Sequence, residues 1–111
     1  MPSVARITEP LLDVLEFLLK TDTSNMSAYG WMIAKDTGRS GPTVYGILDR
    51  LEQDCWIDSE WEQQEDPANN RPRRRMYRLT KRGRTEAFDL LSERRPHCVR
   101  KLIAAIQAGR Q

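Results

Sequence analysis

Apolar residues recur at helical spacing in four stretches of the chain and partly alternate in two shorter ones. Residues 1–7 carry no such pattern and read as an extended arm. Thr8 then caps a helix, with Glu9 and Pro10 in its first turn, where an acid and a proline are both favoured. Leu11, Leu12, Val14, Leu15, Leu18 and Leu19 make this helix apolar on more than one face, so it needs cover beyond one core, such as a partner subunit. Residues 21–27 are polar and loop-like. Residues 29–36 read as a second helix, ended by Thr37-Gly38 with glycine as its C-cap. A third helix opens at Ser40-Gly41-Pro42. Its Val44, Ile47, Leu48 and Leu51 fall at i, i+3, i+4 and i+7, one buried stripe. Thr43, Tyr45, Gly46, Asp49, Arg50 and Gln53 fall off that stripe and face outward. Residues 56–62 are rich in β-formers and predict a strand, residues 65–70 a turn, and residues 74–79 the returning strand. Thr80 caps the last helical region. Ala87, Phe88, Leu90 and Leu91 form its first stripe, and Val99, Leu102, Ile103 and Ile106 a second. Pro96 interrupts it after Arg94 or Arg95.

The order helix, helix, helix, strand, strand, helix predicts an α+β fold, mostly α. It is a winged helix-turn-helix of three helices and a two-stranded wing, followed by a C-terminal dimerisation helix. The division falls at residues 1–80 for the winged helix with its short N-terminal arm, and at residues 81–111 for the C-terminal helical segment. At 111 residues the chain buries a small core, which oligomerisation would support.

Net charge is only +2, and the charge distribution says more than the total. Residues 51–70 contain no Lys or Arg, whereas every charged residue from 71 to 84 is basic. Segregation of this kind marks a surface for a polyanion. Two cysteines make neither a disulfide framework nor a metal spacing, no segment nears the length of a membrane span, and no leader is apparent. The expectation is a soluble cytoplasmic protein that does not meet a membrane.

Three motifs resemble the PadR family of bacterial transcriptional regulators, over nearly the whole chain. They are Tyr29-Gly30-Trp31-Met32-Ile33-Ala34-Lys35, then Pro42-Thr43-Val44-Tyr45 followed by Leu48-Asp49-Arg50-Leu51-Glu52, then Arg74-Arg75-Met76-Tyr77-Arg78-Leu79-Thr80 with Gly83 beyond. The resemblance implies a homodimer that binds palindromic operator DNA, acts as a repressor, and in some members releases DNA when a small aromatic effector binds. It also implies dimerisation through the C-terminal helix with help from the first, which assigns Leu11, Leu15, Leu18, Phe88, Leu91, Val99, Leu102, Ile103 and Ile106 to that contact. The family usually has glycine where Cys55 stands, a position that often needs φ > 0, which cysteine adopts less easily.

In a helix-turn-helix the second helix of the motif enters the major groove and its N-terminal residues reach base edges. That predicts double-stranded DNA contacts from Ser40, Gly41, Thr43, Tyr45, Gly46 and Arg50. Gly46 costs about 1 kcal/mol against alanine in mid-helix; close approach of DNA or of the second helix would explain it. Arg71, Arg73 and Arg74 of the basic turn suit phosphate or a narrow minor groove. Alternatively these arginines pair with Asp58, Glu60 and Glu62 across the hairpin, and strand alternation divides the run between the two uses. Lys35 is a further backbone contact or a plain surface lysine.

Trp31, Trp56 and Trp61 either line an aromatic effector pocket or pack in the core. Cys55 and Cys98 lack nearby resolving partners, and His97 with Cys98 gives only two ligands, too few to close a metal site. No cofactor is expected. There is no nucleophile elbow, phosphate-binding glycine loop or convergent acid–base set, so an enzyme is not expected. The rival readings are a winged-helix module that meets an acidic protein, and an effector sensor with no operator of its own.

Overall fold

A computed structural model of the chain describes residues 6–62 and 74–109. Among the described residues there are five helices and a small antiparallel sheet: α1 Glu9–Thr23, β1 Ala28–Tyr29, α2 Gly30–Thr37, α3 Gly41–Gln53, β2 Ile57–Trp61, β3 Arg75–Leu79, α4 Lys81–Arg94 and α5 Pro96–Ala108. The helix starts follow from their caps. Thr8, Ser40 and Thr80 each stand in extended backbone, and each side-chain oxygen accepts from the backbone N–H three residues on. Gly38 ends α2 in the left-handed conformation, as its sequence predicts. α1 runs past residue 21, because the Thr21 and Thr23 hydroxyls donate to the carbonyls of Leu18 and Lys20 instead of opening a loop.

β3 is the central strand, in the order β1-β3-β2. β2 pairs with it from Ile57↔Leu79 to Trp61↔Arg75, and β1 pairs through Ala28↔Tyr77 and Tyr29↔Met76. β1 corrects the sequence reading, in which Tyr29 begins a helix and the preceding residues form only loop. Two residues carry no periodicity, and only the edge of β3 makes them a strand. The turn predicted at residues 65–70, with Arg71 and Arg73, lies outside the described residues.

One core holds the elements together, with α1 at its centre. Leu11, Leu12, Val14, Leu15, Leu18 and Leu19 are all buried within the chain. α1 meets α2, α3 and β3, and it meets α4 and α5 as well. The second cover that its two apolar faces require is therefore supplied by this chain's own C-terminal helices. Val44, Ile47, Leu48 and Leu51 of α3 are buried, as the heptad-like spacing requires.

α4 and α5 meet at Arg95, where Pro96 removes the N–H that a continuous helix needs. The Arg95 side chain turns back onto α1, 2.9 Å from Asp13 and 3.1 Å from Glu16. At the other end of α4, Gly83 lies against the turn after α3: a Cβ there would stand 1.8 Å from the Trp56 carbonyl oxygen. Only glycine fits that approach. These two junctions fix how the C-terminal helices sit on the winged helix.

Candidate nucleic-acid interface

The exposed side of α3 is built by its own periodicity. Burying Val44, Ile47, Leu48 and Leu51 turns Thr43, Tyr45, Gly46, Asp49 and Arg50 to solvent. At the helix start, the Ser40 hydroxyl donates to the Thr43 hydroxyl at 2.9 Å, and both side chains are exposed. Gly41 beside them is half-buried. Arg39, just before the cap, is held back on α1, its guanidinium 3.0 Å from Asp13.

Gly46 opens onto free space, with no atom within 4 Å of a Cβ placed on it. Close packing of α2 is thus excluded as the reason for this glycine. The close approach is instead at Gly30, where a Cβ would lie 2.5 Å from the Tyr45 ring. Gly30 lets Tyr45 lie across the start of α2 while keeping it on the outer surface. Lys35, near the end of α2, is exposed.

The base of the wing is tied down by ion pairs. The Arg74 guanidinium lies 3.4 Å from Glu62 and over the rings of Tyr29 and Trp31, 4.5 and 5.5 Å from their centroids. Arg75 reaches Glu52 at the end of α3, 3.2 Å away, and donates to Ser59 at 2.8 Å. Arg78 pairs with Glu60 at 2.6 Å, and Arg84 with Asp22 at 2.6 Å. Strand alternation does not divide these arginines between acids and open solvent: the consecutive Arg74 and Arg75 both pair with acids, as do Arg78 and Arg84, with partners on α1 and α3 as well as on or just after β2. Glu52, Ser59 and Tyr29 were not legible as partners. Their contacts cross between elements, and only the Leu-Glu ending of α3 hinted at an acid there.

The nine apolar positions assigned to dimerisation separate into two groups. Leu11, Leu15, Leu18, Leu91 and Val99 are buried in the chain's own core, where α1, α4 and α5 cover one another. Phe88, Ile103 and Ile106 remain 37% exposed, with Leu102 half-buried beside the core.

The three tryptophans do not share a pocket. Trp56 is buried at 3% exposure, whereas Trp31 and Trp61 are 48% and 59% exposed, stacked on Arg74 and Arg75 respectively. A cavity of about 260 Å³ lies between the end of α1 with the loop after it, β3 and the start of α4, lined by Asp22, Asn25, Met76, Arg78 and Arg84 among others, with no tryptophan. Both cysteines are free thiols. Cys98 lies 3.2 Å from Glu16, and burial followed by this hydrogen bond pushes its thiol above the ordinary range. Among the described residues no three His, Cys, Asp or Glu side chains converge as metal ligands, and no helix is long and apolar enough to cross a membrane.

A helix-turn-helix with an exposed second helix, followed by a braced β-hairpin and a helical C-terminal segment, defines the winged-helix regulators. Within that class, the model of the transcriptional regulator PadR-like family matches residues 24–88, and the chain belongs to this family. A search of curated proteins by sequence finds no match. The fold is similar to a PadR family transcription regulator from Clostridium difficile R20291, with 21% identity and a TM-score of 0.56 over 86% of this chain and 97% of that one. It is also similar to S. aureus MepR in complex with DNA, with 22% identity and a TM-score of 0.62 over 89% of this chain and 65% of that one. A mutant of Lactococcus lactis ZitR gives 16% identity and a TM-score of 0.58 over 96% and 62% of the two chains. This chain thus spans less than two thirds of the length of each of these MepR and ZitR chains. At these identities the likeness establishes the fold.

Proposed function

We propose that this protein is a homodimeric repressor that binds a palindromic operator through α3. The observation that carries the proposal is the open outer face of α3, where Thr43, Gly46 and Arg50 are exposed and Tyr45, though it lies against Gly30, stays on the outer surface. Thr43 and Ser40 sit at the N-terminal end that enters the major groove, and Arg50 and Lys35 flank it with positive charge. Arg71 and Arg73 of the wing add phosphate or minor-groove contacts on the strength of their sequence alone, and Arg74 stands at the base of that wing. The DNA held by MepR, a structural neighbour, supports the same use of the fold. Phe88, Ile103 and Ile106 supply the exposed apolar area for a second copy, with Leu102 beside them. Two-fold symmetry then sets two α3 helices about 34 Å apart, one turn of DNA.

Gly46→Ala tests this use of α3. Alanine gains about 1 kcal/mol of helix stability, and the open space accommodates its methyl. The substitution therefore raises the melting temperature and at the same time weakens duplex binding in a fluorescence-anisotropy titration, because the methyl stands where DNA approaches. Unchanged affinity with raised stability would remove α3 from the interface.

A further inference from the structure

Arg74 and Arg75 are consecutive, and strand alternation sends them to opposite faces of the wing base. Arg75 points towards α3. Its guanidinium meets both carboxylate oxygens of Glu52 at 3.2 Å and donates to Ser59 at 2.8 Å, and Ser59 itself donates to Glu52 at 2.6 Å. The three groups close a ring between the last turn of α3, β2 and β3. The Arg75 guanidinium also lies 5.8 Å from the Trp61 ring centroid, its cross-strand partner. Arg74 points the other way, over Tyr29 and Trp31 at the start of α2, while its backbone N–H donates to Glu62 at 2.8 Å and its carbonyl accepts from the Glu62 N–H at 2.8 Å. One arginine thus grips each helix of the helix-turn-helix.

We infer that Arg74 and Arg75 are positioning residues that brace the wing against α2 and α3, and that neither contacts DNA phosphate. The inference rests on the operator-binding reading for its effect on affinity, though the brace itself does not. A guanidinium paired with a carboxylate and lying over aromatic rings has its charge and part of its donor set engaged within the fold. What the brace contributes to binding is geometry: it fixes the direction in which the wing leaves α3. Glu52 makes the distinction sharp. Removing an acid beside DNA strengthens binding if charge alone matters, and weakens it if the acid holds the wing in place.

The experiment measures duplex affinity of the full-length protein against salt concentration, using a duplex that the wild type binds. The variants are Arg74→Ala, Arg75→Ala, Glu52→Ala, and the reversed pair Glu52→Arg with Arg75→Glu. Arg50→Ala on the outer face of α3 is the reference for a direct contact. A phosphate contact lowers the slope of log K against log salt by about one. Arg74→Ala, Arg75→Ala and Glu52→Ala each weaken binding about tenfold with the wild-type slope, and the reversed pair recovers most of that loss. A slope lowered by about one for Arg74→Ala or Arg75→Ala, or tighter binding by Glu52→Ala, would overturn the inference. Hydrogen exchange of the free protein is the second arm. Arg74→Ala and Arg75→Ala lower protection of the β2–β3 amides while the α1 amides keep theirs; unchanged protection at β2–β3 counts against the brace. Should the wild type bind no duplex at all, the operator-binding reading fails, and the exchange arm still decides on the brace.

Discussion

Cys55 holds a backbone φ of 64°, in the region that glycine enters freely and other residues enter at a cost of about 1–2 kcal/mol. It ends the turn after α3, and its thiol is exposed. Its carbonyl accepts from the Thr80 hydroxyl at 2.6 Å, so the strained turn is also the seat of the α4 cap. Cys55→Gly therefore removes strain without removing a packed side chain. It should stabilise the protein by about 1 kcal/mol and raise its melting temperature by several degrees in a thermal scan. A lower melting temperature would mean that the thiol packs against something the strain argument omits. The need for positive φ was legible from the resemblance, where glycine stands at this position. The neighbouring constraint was not: Gly83 is required by the Trp56 carbonyl, an approach between residues far apart in sequence.

The secondary elements divide by how local their causes are. The helices were legible because stripe, cap and stop signals are each set within a few residues, from Thr8 through Gly38 to Pro96. β1 was hidden because its pairing with Met76 and Tyr77 exists only once the chain has folded. The cover over α1 was hidden for the same reason, since a two-faced helix does not say which element fills its second face. That cover is also electrostatic. Glu9, Asp13 and Glu16 line the side of α1 that receives Arg95 from the α4–α5 junction, and Asp13 also holds Arg39. Burial pushes the Glu16 carboxyl up, but hydrogen bonds from Cys98, Lys20 and Arg95 outweigh it and hold the group below its ordinary value of 4.5. Because the folded value is the lower one, the stabilisation from Glu16 is complete above the unfolded value and is lost as pH falls through the folded value. Urea unfolding between pH 6 and pH 3, at conditions chosen to span about that range, should show the wild type losing more stability than Glu16→Gln. Parallel pH curves for the two proteins would remove Glu16 from the junction's stabilising contacts.

At the scale of the whole molecule, α1 joins the two ends of the proposed function. It packs against the helix-turn-helix and β3 of the wing, and it also seats the helices that expose Phe88, Ile103 and Ile106. The winged-helix class was legible from the order of elements and the segregated charge. The allocation of the charge was not, because Glu52, Asp13 and Asp22 meet their arginines across the tertiary fold. The same holds for the dimer positions, since a stripe of leucines looks alike whether its own chain or a second copy covers it.

The most direct measurement is selection from a pool of random duplexes by the purified protein. Two α3 helices related by a two-fold axis should recover an inverted repeat whose half-sites are centred about 10 base pairs apart or a multiple of that. Recovery of no enriched sequence, or of a single unpaired half-site, would contradict a dimeric regulator that reads its operator through α3.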